Sequence, residues 1–150
     1  MEPPLESVAS SLTNEGTFSW VVPAGYVRAS EPEVIGSRTR LMLTSGNAQA
    51  FVEIGPATED LLKYPTETSE RWADKPDYTK VALESTTFKG RDAVLWEYER
   101  EIDGVQKHCR TYYFTHQGNG YALSMRAPVS EWSTYEASLR QVEDSLVLND

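Results

Sequence analysis

Residues 93–115 read AVLWEYEREIDGVQKHCRTYYFT, and this stretch decides the fold. It falls into two runs with side chains of alternating character, which is the period of a β-strand. The runs are separated by Asp103-Gly104, and Asp-Gly in this position predicts a hairpin with a two-residue type I′ turn. The sequence therefore predicts two long antiparallel strands whose register places Ile102 opposite Val105.

This register divides the side chains of the hairpin between two faces. The first face is predicted to be core, and it carries Val94, Trp96, Tyr98, Ile102, Val105, Cys109, Thr111 and Tyr113. The second face carries Leu95, Glu97, Glu99, Glu101, Gln106, His108, Arg110, Tyr112 and Phe114. The charged part of this second face is predicted to be a solvated surface with ion pairs between the strands. Cys109 is predicted to be buried.

Further alternating runs predict strands at residues 17–22, 38–44, 50–54, 81–88 and 121–125. After the third strand (residues 50–54), Thr58 is predicted to begin a helix that Pro65 kinks or breaks into two pieces, with the second over residues 68–74. A C-terminal helix is predicted because apolar residues recur at spacings of three and four; they are Trp132, Tyr135, Leu139, Val142 and Leu146. No βαβαβ repeat is visible, so the fold class is predicted to be α+β with a mainly antiparallel sheet.

The chain of 150 residues has the length of one domain. Residues 1–15 are predicted to be a flexible tail or linker, because they contain Pro and Ser clusters and only isolated apolar residues. Residues 16–150 are predicted to form a single domain.

Composition excludes several functions. With 14 Lys and Arg against 23 Asp and Glu, the formal charge is −9, which disfavours nucleic acid and anionic lipid as nonspecific partners. The longest strongly apolar run has three residues, so no direct membrane insertion by this segment is predicted. Cys109 is the one cysteine, which excludes an intrachain disulfide. No nucleophile, phosphate-loop, dinucleotide or metal-ligand motif is present, so the chain is predicted to be non-enzymatic, with no cofactor and no metal.

Candidate binding residues are aromatic side chains in irregular segments, where a rigid scaffold commonly displays them. Tyr26 follows a Pro-Ala-Gly turn, Tyr64 precedes Pro65, and Trp72 lies close to the next predicted break. The sequence predicts that any partner-binding patch is formed around Tyr26, Tyr64 and Trp72. The alternative is that Tyr26, Trp72 and Tyr78 only fill the edges of the sheet.

Several segments together resemble the PsbP-like superfamily, which also includes the nuclear-import factor Mog. They are Phe18–Tyr26 (FSWVVPAGY), Tyr78, Phe88–Ala93 (FKGRDA), Trp96-Glu97-Tyr98, Tyr121-Ala122-Leu123, Ala127-Pro128 and Trp132. They are most similar to extracytoplasmic domains of actinobacterial lipoproteins and to C-terminal domains of serine/threonine kinases. Tyr26 departs from the Trp that is usual at its position. The resemblance implies an α/β/α sandwich over residues 16–148.

The resemblance also implies a non-enzymatic binding or sensor domain. The first hypothesis is the extracytoplasmic part of a membrane-tethered protein, such as a lipoprotein or a receptor kinase, that binds a protein or a small ligand. The alternative is an intracellular adaptor or chaperone-like domain of the same fold. A third reading, an enzyme of unknown type, would need a catalytic constellation that the sequence does not display.

Overall fold

The computed structural model describes residues 11–149, which form two antiparallel sheets and two helices. The strands are β1 Ser11–Asn14, β2 Phe18–Val22, β3 Val27–Arg28, β4 Glu33–Ile35, β5 Arg38–Ser45, β6 Ala48–Pro56, β7 Thr79–Phe88, β8 Arg91–Ile102, β9 Val105–His116, β10 Asn119–Pro128 and β11 Val147–Leu148. The helices are α1 Lys63–Trp72 and α2 Trp132–Ser145. The large sheet has the order β3-β5-β6-β10-β9-β8-β7, with β4 also paired to β5, and the small sheet has the order β1-β2-β11. The α+β class with a mainly antiparallel sheet is confirmed.

The hairpin of β8 and β9 has the predicted register. Ile102 lies opposite Val105, and Glu97 lies opposite Arg110. The turn residues Asp103 and Gly104 have φ angles of 53° and 82°. A type I′ turn requires positive φ at both central residues, which Asp tolerates and Gly adopts without strain.

The first face of the hairpin was predicted to be core, and Val94, Trp96, Cys109 and Thr111 are indeed buried there, but the main hydrophobic core is not on this face. The main hydrophobic core lies on the second face, which bears Tyr112 and Phe114 and which we call the core face. The apolar stripe of α2 and the strand β2 pack over it, and the most buried members of this core are Phe18, Trp20, Leu43, Val52, Leu123, Met125, Leu139, Val142 and Leu146. Alternation shows which residues share a face, but only the docking of α2 decides which face is covered.

Part of the charged end of the core face is also covered, so its predicted solvation is wrong for Glu97, His108 and Arg110, whereas Glu101 and Gln106 at the tip are exposed. Arg110 lies between two carboxylates, with Nη1 3.0 Å from Glu97 Oε1 and Nε 3.0 Å from Glu143 Oε1 of α2. The side chains of Arg110 and Glu97 are only 13% and 15% exposed. Buried charges are tolerated when each has opposite charges and hydrogen-bond partners nearby, and both conditions hold here.

His108 extends this cluster of charged groups. Its Nδ1 lies 2.8 Å from Glu99 Oε2, its Nε2 bonds Glu97, and its ring lies 4.2 Å from that of Trp132. Burial acts to lower the pKa of His108, but the hydrogen bonds with Glu97 and Glu99 outweigh burial and raise it above the usual value. The hydrogen bond from His108 is the main reason why the pKa of Glu97 is lowered.

The other face of the large sheet, which we call the open face, carries the side chains that had been predicted to be core. Trp96 and Cys109 are buried there as predicted, with 1% and 3% exposure. The helix α1 lies over part of this face, whereas α2 lies on the opposite side of the sheet. Because α1 covers only part of the open face, the predicted α/β/α sandwich is not confirmed.

The predicted tail and the predicted broken helix both need revision. The strand β1 lies within residues 1–15 and pairs with β2, so ordered structure begins before residue 16; residues 1–10 lie outside the described part. Thr58 does not begin the helix, which starts at Lys63 and continues without a break to Trp72. Pro65 lies in its first turn, where a backbone N–H has no helical partner to lose.

Replacing His108 tests the charged cluster under α2. Because the folded-state pKa is raised, the contribution of protonated His108 to stability is fully present below the unfolded pKa of about 6.5 and is lost as the pH rises through the higher folded value. We expect His108→Gln to lower the free energy of unfolding by about 1–3 kcal/mol at pH 6. We also expect the free energy of unfolding of this variant to fall less steeply as the pH rises above 6.5. Urea unfolding at several pH values measures both. Equal pH slopes for the two proteins would contradict the assignment.

Candidate functional site

The open face of the large sheet contains a groove of about 460 Å³. One wall is formed by α1 and by aromatic side chains of β8. The opposite wall is formed by side chains of β5 and β6, and β9 and β10 supply the floor. A concave site of a few hundred Å³ matches the size of a pocket for a small organic ligand.

The aromatic wall is built around Trp96, which points from β8 toward α1. Trp72 of α1 stacks on it at 5.5 Å between ring centroids, and Tyr98 lies 4.3 Å away on the same strand face. Tyr64 meets the edge of Trp96 at 6.4 Å. The indole Nε1 of Trp96 donates a hydrogen bond to the hydroxyl of Tyr78 at 3.1 Å, so this buried ring has no unpaired donor.

The floor is a row of facing residues on neighbouring strands. Trp96 lies opposite Thr111, Thr111 lies opposite Ser124, and Ser124 lies opposite Phe51. The hydroxyls of Thr111 and Ser124 are 2.9 Å apart and satisfy each other. Tyr113 and the small Ala122 lie next in the same direction. The groove therefore has a rigid floor in which every strand has a neighbour on both sides.

The wall opposite the aromatic residues is charged but internally paired. Arg38 and Arg40 both bind Glu53, with Arg38 Nη1 3.5 Å from Glu53 Oε1 and Arg40 Nε 2.8 Å from Glu53 Oε2. The guanidinium of Arg40 also lies 4.4 Å from the ring centroid of Phe51. Two cations thus surround one carboxylate, which leaves this wall positive in spite of the acidity of the whole chain.

The predicted binding residues do not form one patch. Tyr64 and Trp72 both line the groove, and Tyr64 is 54% exposed at its rim. Tyr26 lies on the other side of the sheet, is only 4% exposed, and hydrogen-bonds Ser138 of α2 at 2.8 Å. Its ring is part of the core, so the expectation that Tyr26 is displayed to a partner is wrong. A binding role for Tyr64 and Trp72 remains a prediction.

Several lining residues were missed from the sequence. Trp96, Tyr98 and Thr111 share one face of the hairpin, as alternation predicts, but a face predicted to be core gives no sign of a binding role. Arg126 lies opposite Cys109 across the turn between β9 and β10, and therefore on the same face. The register of the two hairpins was the signal that could have found all four.

Cys109 lies on the open face beneath Tyr98 and is the one thiol of the chain. Burial raises its pKa to about 11, against smaller opposing effects of neighbouring cations and of Tyr98. A thiol with this pKa stays protonated at neutral pH, and the thiolate is the nucleophilic form.

The chain belongs to a family of kinase-associated domains. The family model described as serine/threonine kinase C-terminal domain matches residues 11–147. This confirms the resemblance to such domains. No curated protein matches the sequence.

The fold is that of PsbP-like proteins. Cyanobacterial PsbP (CyanoP) from Synechocystis is 12% identical, with a TM-score of 0.68 over 99% of this chain and 98% of that chain. LpqN, described as involved in cell envelope biogenesis of Mycobacterium tuberculosis, is 12% identical with a TM-score of 0.57 over 94% and 91%. A Pseudomonas aeruginosa protein of unknown function is 13% identical with a TM-score of 0.59 over 94% and 98%. Within residues 11–149, neither helix is long and apolar enough to cross a membrane.

Two substitutions compare how much the rim of the groove and its buried base contribute to the stability of the domain. We expect Tyr64→Ala to lower the free energy of unfolding by about 1 kcal/mol or less, because the ring is more than half exposed and makes only edge contacts. We expect Trp96→Ala to lower it by about 3–5 kcal/mol, because the ring is buried and supports Trp72 and Tyr98. Denaturant unfolding gives both values, and similar losses for the two variants would contradict this division.

Proposed function

We propose that this chain is a non-enzymatic ligand-binding domain whose ligand occupies the groove on the open face. The observation that carries the proposal is a preformed concavity with aromatic side chains on one wall and arginines on the other. Aromatic and Arg side chains supply most of the energy of recognition in protein interfaces. A sheet face covered by only one short helix leaves these groups accessible.

The ionisable groups on the open face support binding rather than catalysis. Glu53 is paired with both Arg38 and Arg40 and is not free to act on a substrate. The Cys109 thiol is buried and remains protonated. The two arginines outnumber the one carboxylate on their wall, and this excess of positive charge suits electrostatic attraction of an anionic ligand.

We place the domain outside the cytoplasm, as the C-terminal part of a membrane-tethered serine/threonine kinase. Membership in the kinase C-terminal domain family supports the kinase, and the shared fold with LpqN, a protein of cell envelope biogenesis, is consistent with the location. In this arrangement the domain binds an external ligand and signals its binding to the kinase.

Affinity capture tests the site and the compartment together. The immobilised chain is exposed separately to culture medium, envelope extract and cytosol of the source cells, and retained molecules are identified by mass spectrometry. We expect a molecule from medium or envelope to be retained, and Tyr64→Ala to weaken its binding by at least about 1 kcal/mol, roughly fivefold, with stability nearly unchanged.

Two control variants sharpen this experiment. Tyr64→Phe keeps the ring, and Val147→Ala removes an exposed apolar side chain from the small sheet, remote from the groove. Both should retain the captured molecule. Equal retention by Tyr64→Ala would show that the groove is not the site, and retention only from cytosol would favour an intracellular adaptor.

A further inference from the structure

Three basic side chains lie together on the open face near the Asp103-Gly104 turn. Arg100 of β8 is directly opposite Lys107 of β9, and Arg126 of β10 is opposite Cys109, two residues further along β9. Directly opposite Cβ atoms are about 4.5–5.5 Å apart and diagonal ones about 7–8 Å. Lys107 is therefore an immediate neighbour of both arginines, whereas Arg100 and Arg126 lie on either side of β9. We call Arg100, Lys107 and Arg126 the basic cluster.

Like charges directly opposite each other destabilise a sheet. Elsewhere in this sheet the facing charges are complementary, as in Glu97 with Arg110 and Arg40 with Glu53. Within residues 11–149, Arg100 and Lys107 are the only two positively charged residues that lie directly opposite each other on neighbouring strands. An anion between them would remove this repulsion.

The two arginines of the basic cluster are held in place by aromatic rings, and within residues 11–149 none of the three cations has an acidic partner. Arg100 lies 3.9 Å from the ring centroid of Trp72, and Arg126 lies 5.1 Å from that of Phe51 while its Nε donates to Gln49 at 2.6 Å. Within the described residues none of the three cations forms a salt bridge, so the terminal N–H groups of both guanidiniums remain free to bind an anion.

The nearby carboxylates do not neutralise the basic cluster. Glu53 is paired with Arg38 and Arg40, and Glu101 and Asp103 line the groove near the turn as exposed side chains. Glu131, which lines a depression together with Lys107, is hydrogen-bonded to Asn47 at 3.3 Å. Within residues 11–149 none of these carboxylates forms a salt bridge with the three cations, and solvent weakens interactions between exposed charges that are not in contact. All three also act to lower the pKa of the buried Cys109 thiol, which fits their convergence around it.

We propose that Arg100, Lys107 and Arg126 bind the phosphate group of a small phosphate monoester whose organic part lies in the groove against Trp72 and Tyr98. A phosphate monoester carries a charge between about −1.5 and −2 and three acceptor oxygens, one for each cation. A carboxylate has one negative charge and two acceptor oxygens, so it would balance the three cations less fully than a phosphate monoester. The aromatic wall beside the cluster suits a planar or apolar organic part.

This inference rests on the proposed function, because it assigns the ligand class of the same groove. The test is a titration of the whole 150-residue chain with phenyl phosphate, inorganic phosphate and benzoate at constant ionic strength, followed by amide chemical shifts in NMR. We expect saturable shifts at the basic cluster, with phenyl phosphate binding at least tenfold more tightly than either other probe. Equal binding of benzoate would overturn the assignment to phosphate, and equal binding of inorganic phosphate would overturn the aromatic contribution.

Single substitutions identify which of the cations bind the phosphate group. Arg126→Gln and Lys107→Gln should each weaken phenyl phosphate binding at least tenfold, whereas Arg140→Gln, which removes the same charge from the exposed surface of α2, should change it less than twofold. Lys107→Gln should also leave the melting temperature of the free chain unchanged or raise it, because it removes a like-charge pair. Equal losses in all three variants would show nonspecific attraction, and a clearly lowered melting temperature of Lys107→Gln would contradict the repulsion.

The two proposals fail in different ways. If Tyr64→Ala abolishes capture while phenyl phosphate does not bind, the groove is the ligand site and the basic cluster is not a phosphate site. If phenyl phosphate binds at the cluster while capture is insensitive to Tyr64→Ala, the phosphate site stands and the proposed position of the natural ligand is wrong.

Discussion

The register of β8 against β9 is the constraint on which both faces of the large sheet depend. Side chains alternate along a strand, so a shift of one position would move every side chain of one strand to the opposite face. Tyr112 and Phe114 would then leave the core under α2, and Thr111 and Tyr113 would leave the groove. The two left-handed residues Asp103 and Gly104 fix this register locally, without the help of distant contacts.

The two faces of the sheet accommodate charge in different ways. On the core face, Glu97, His108 and Arg110 are covered by α2, and each has an opposite charge within hydrogen-bonding distance. Burial of an unpaired charge there would cost several kcal/mol, so each of these three side chains needs a partner of opposite charge. On the open face, solvent reaches Arg100 and Arg126, which form no salt bridge within residues 11–149, and their charge is tolerated because water and nearby aromatic rings stabilise it. The docking of α2 therefore determines which charges must be paired.

Local sequence signals predicted the parts of the fold that depend on neighbouring residues. The β8–β9 hairpin, the amphipathic stripe of α2 and the burial of Cys109 all follow from spacing and turn chemistry. The identity of the core face does not, because it is decided by the position of α2, which begins 16 residues after the end of the hairpin. The apolar Trp96 and Tyr98 favoured the first face, and nothing local showed that Glu143 would supply a partner for Arg110 on the second.

The candidate site was only half predictable for the same reason. Tyr64 and Trp72 were found because they lie in a segment interrupted by proline, where exposed aromatic residues are common. Tyr26 shared this signal, but its hydroxyl finds Ser138 of α2 and its ring completes the core. The side chains that line the floor come from strands that are distant in sequence, since β10 pairs with β6 across more than sixty residues, and no turn specifies that pairing.

Net charge is a poor guide to the ligand of such a site. The chain carries a formal charge of −9, which predicts repulsion of anions at long range. At physiological ionic strength, however, exposed charges are largely screened beyond about 8 Å, so a ligand at the sheet surface experiences mainly its immediate neighbours. Those neighbours are Arg100, Lys107 and Arg126. With 23 acidic residues in the chain, a carboxylate on a facing strand position could have paired with any of them. Unpaired cations that face one another in an acidic protein therefore create a local attraction for anions that the overall composition conceals.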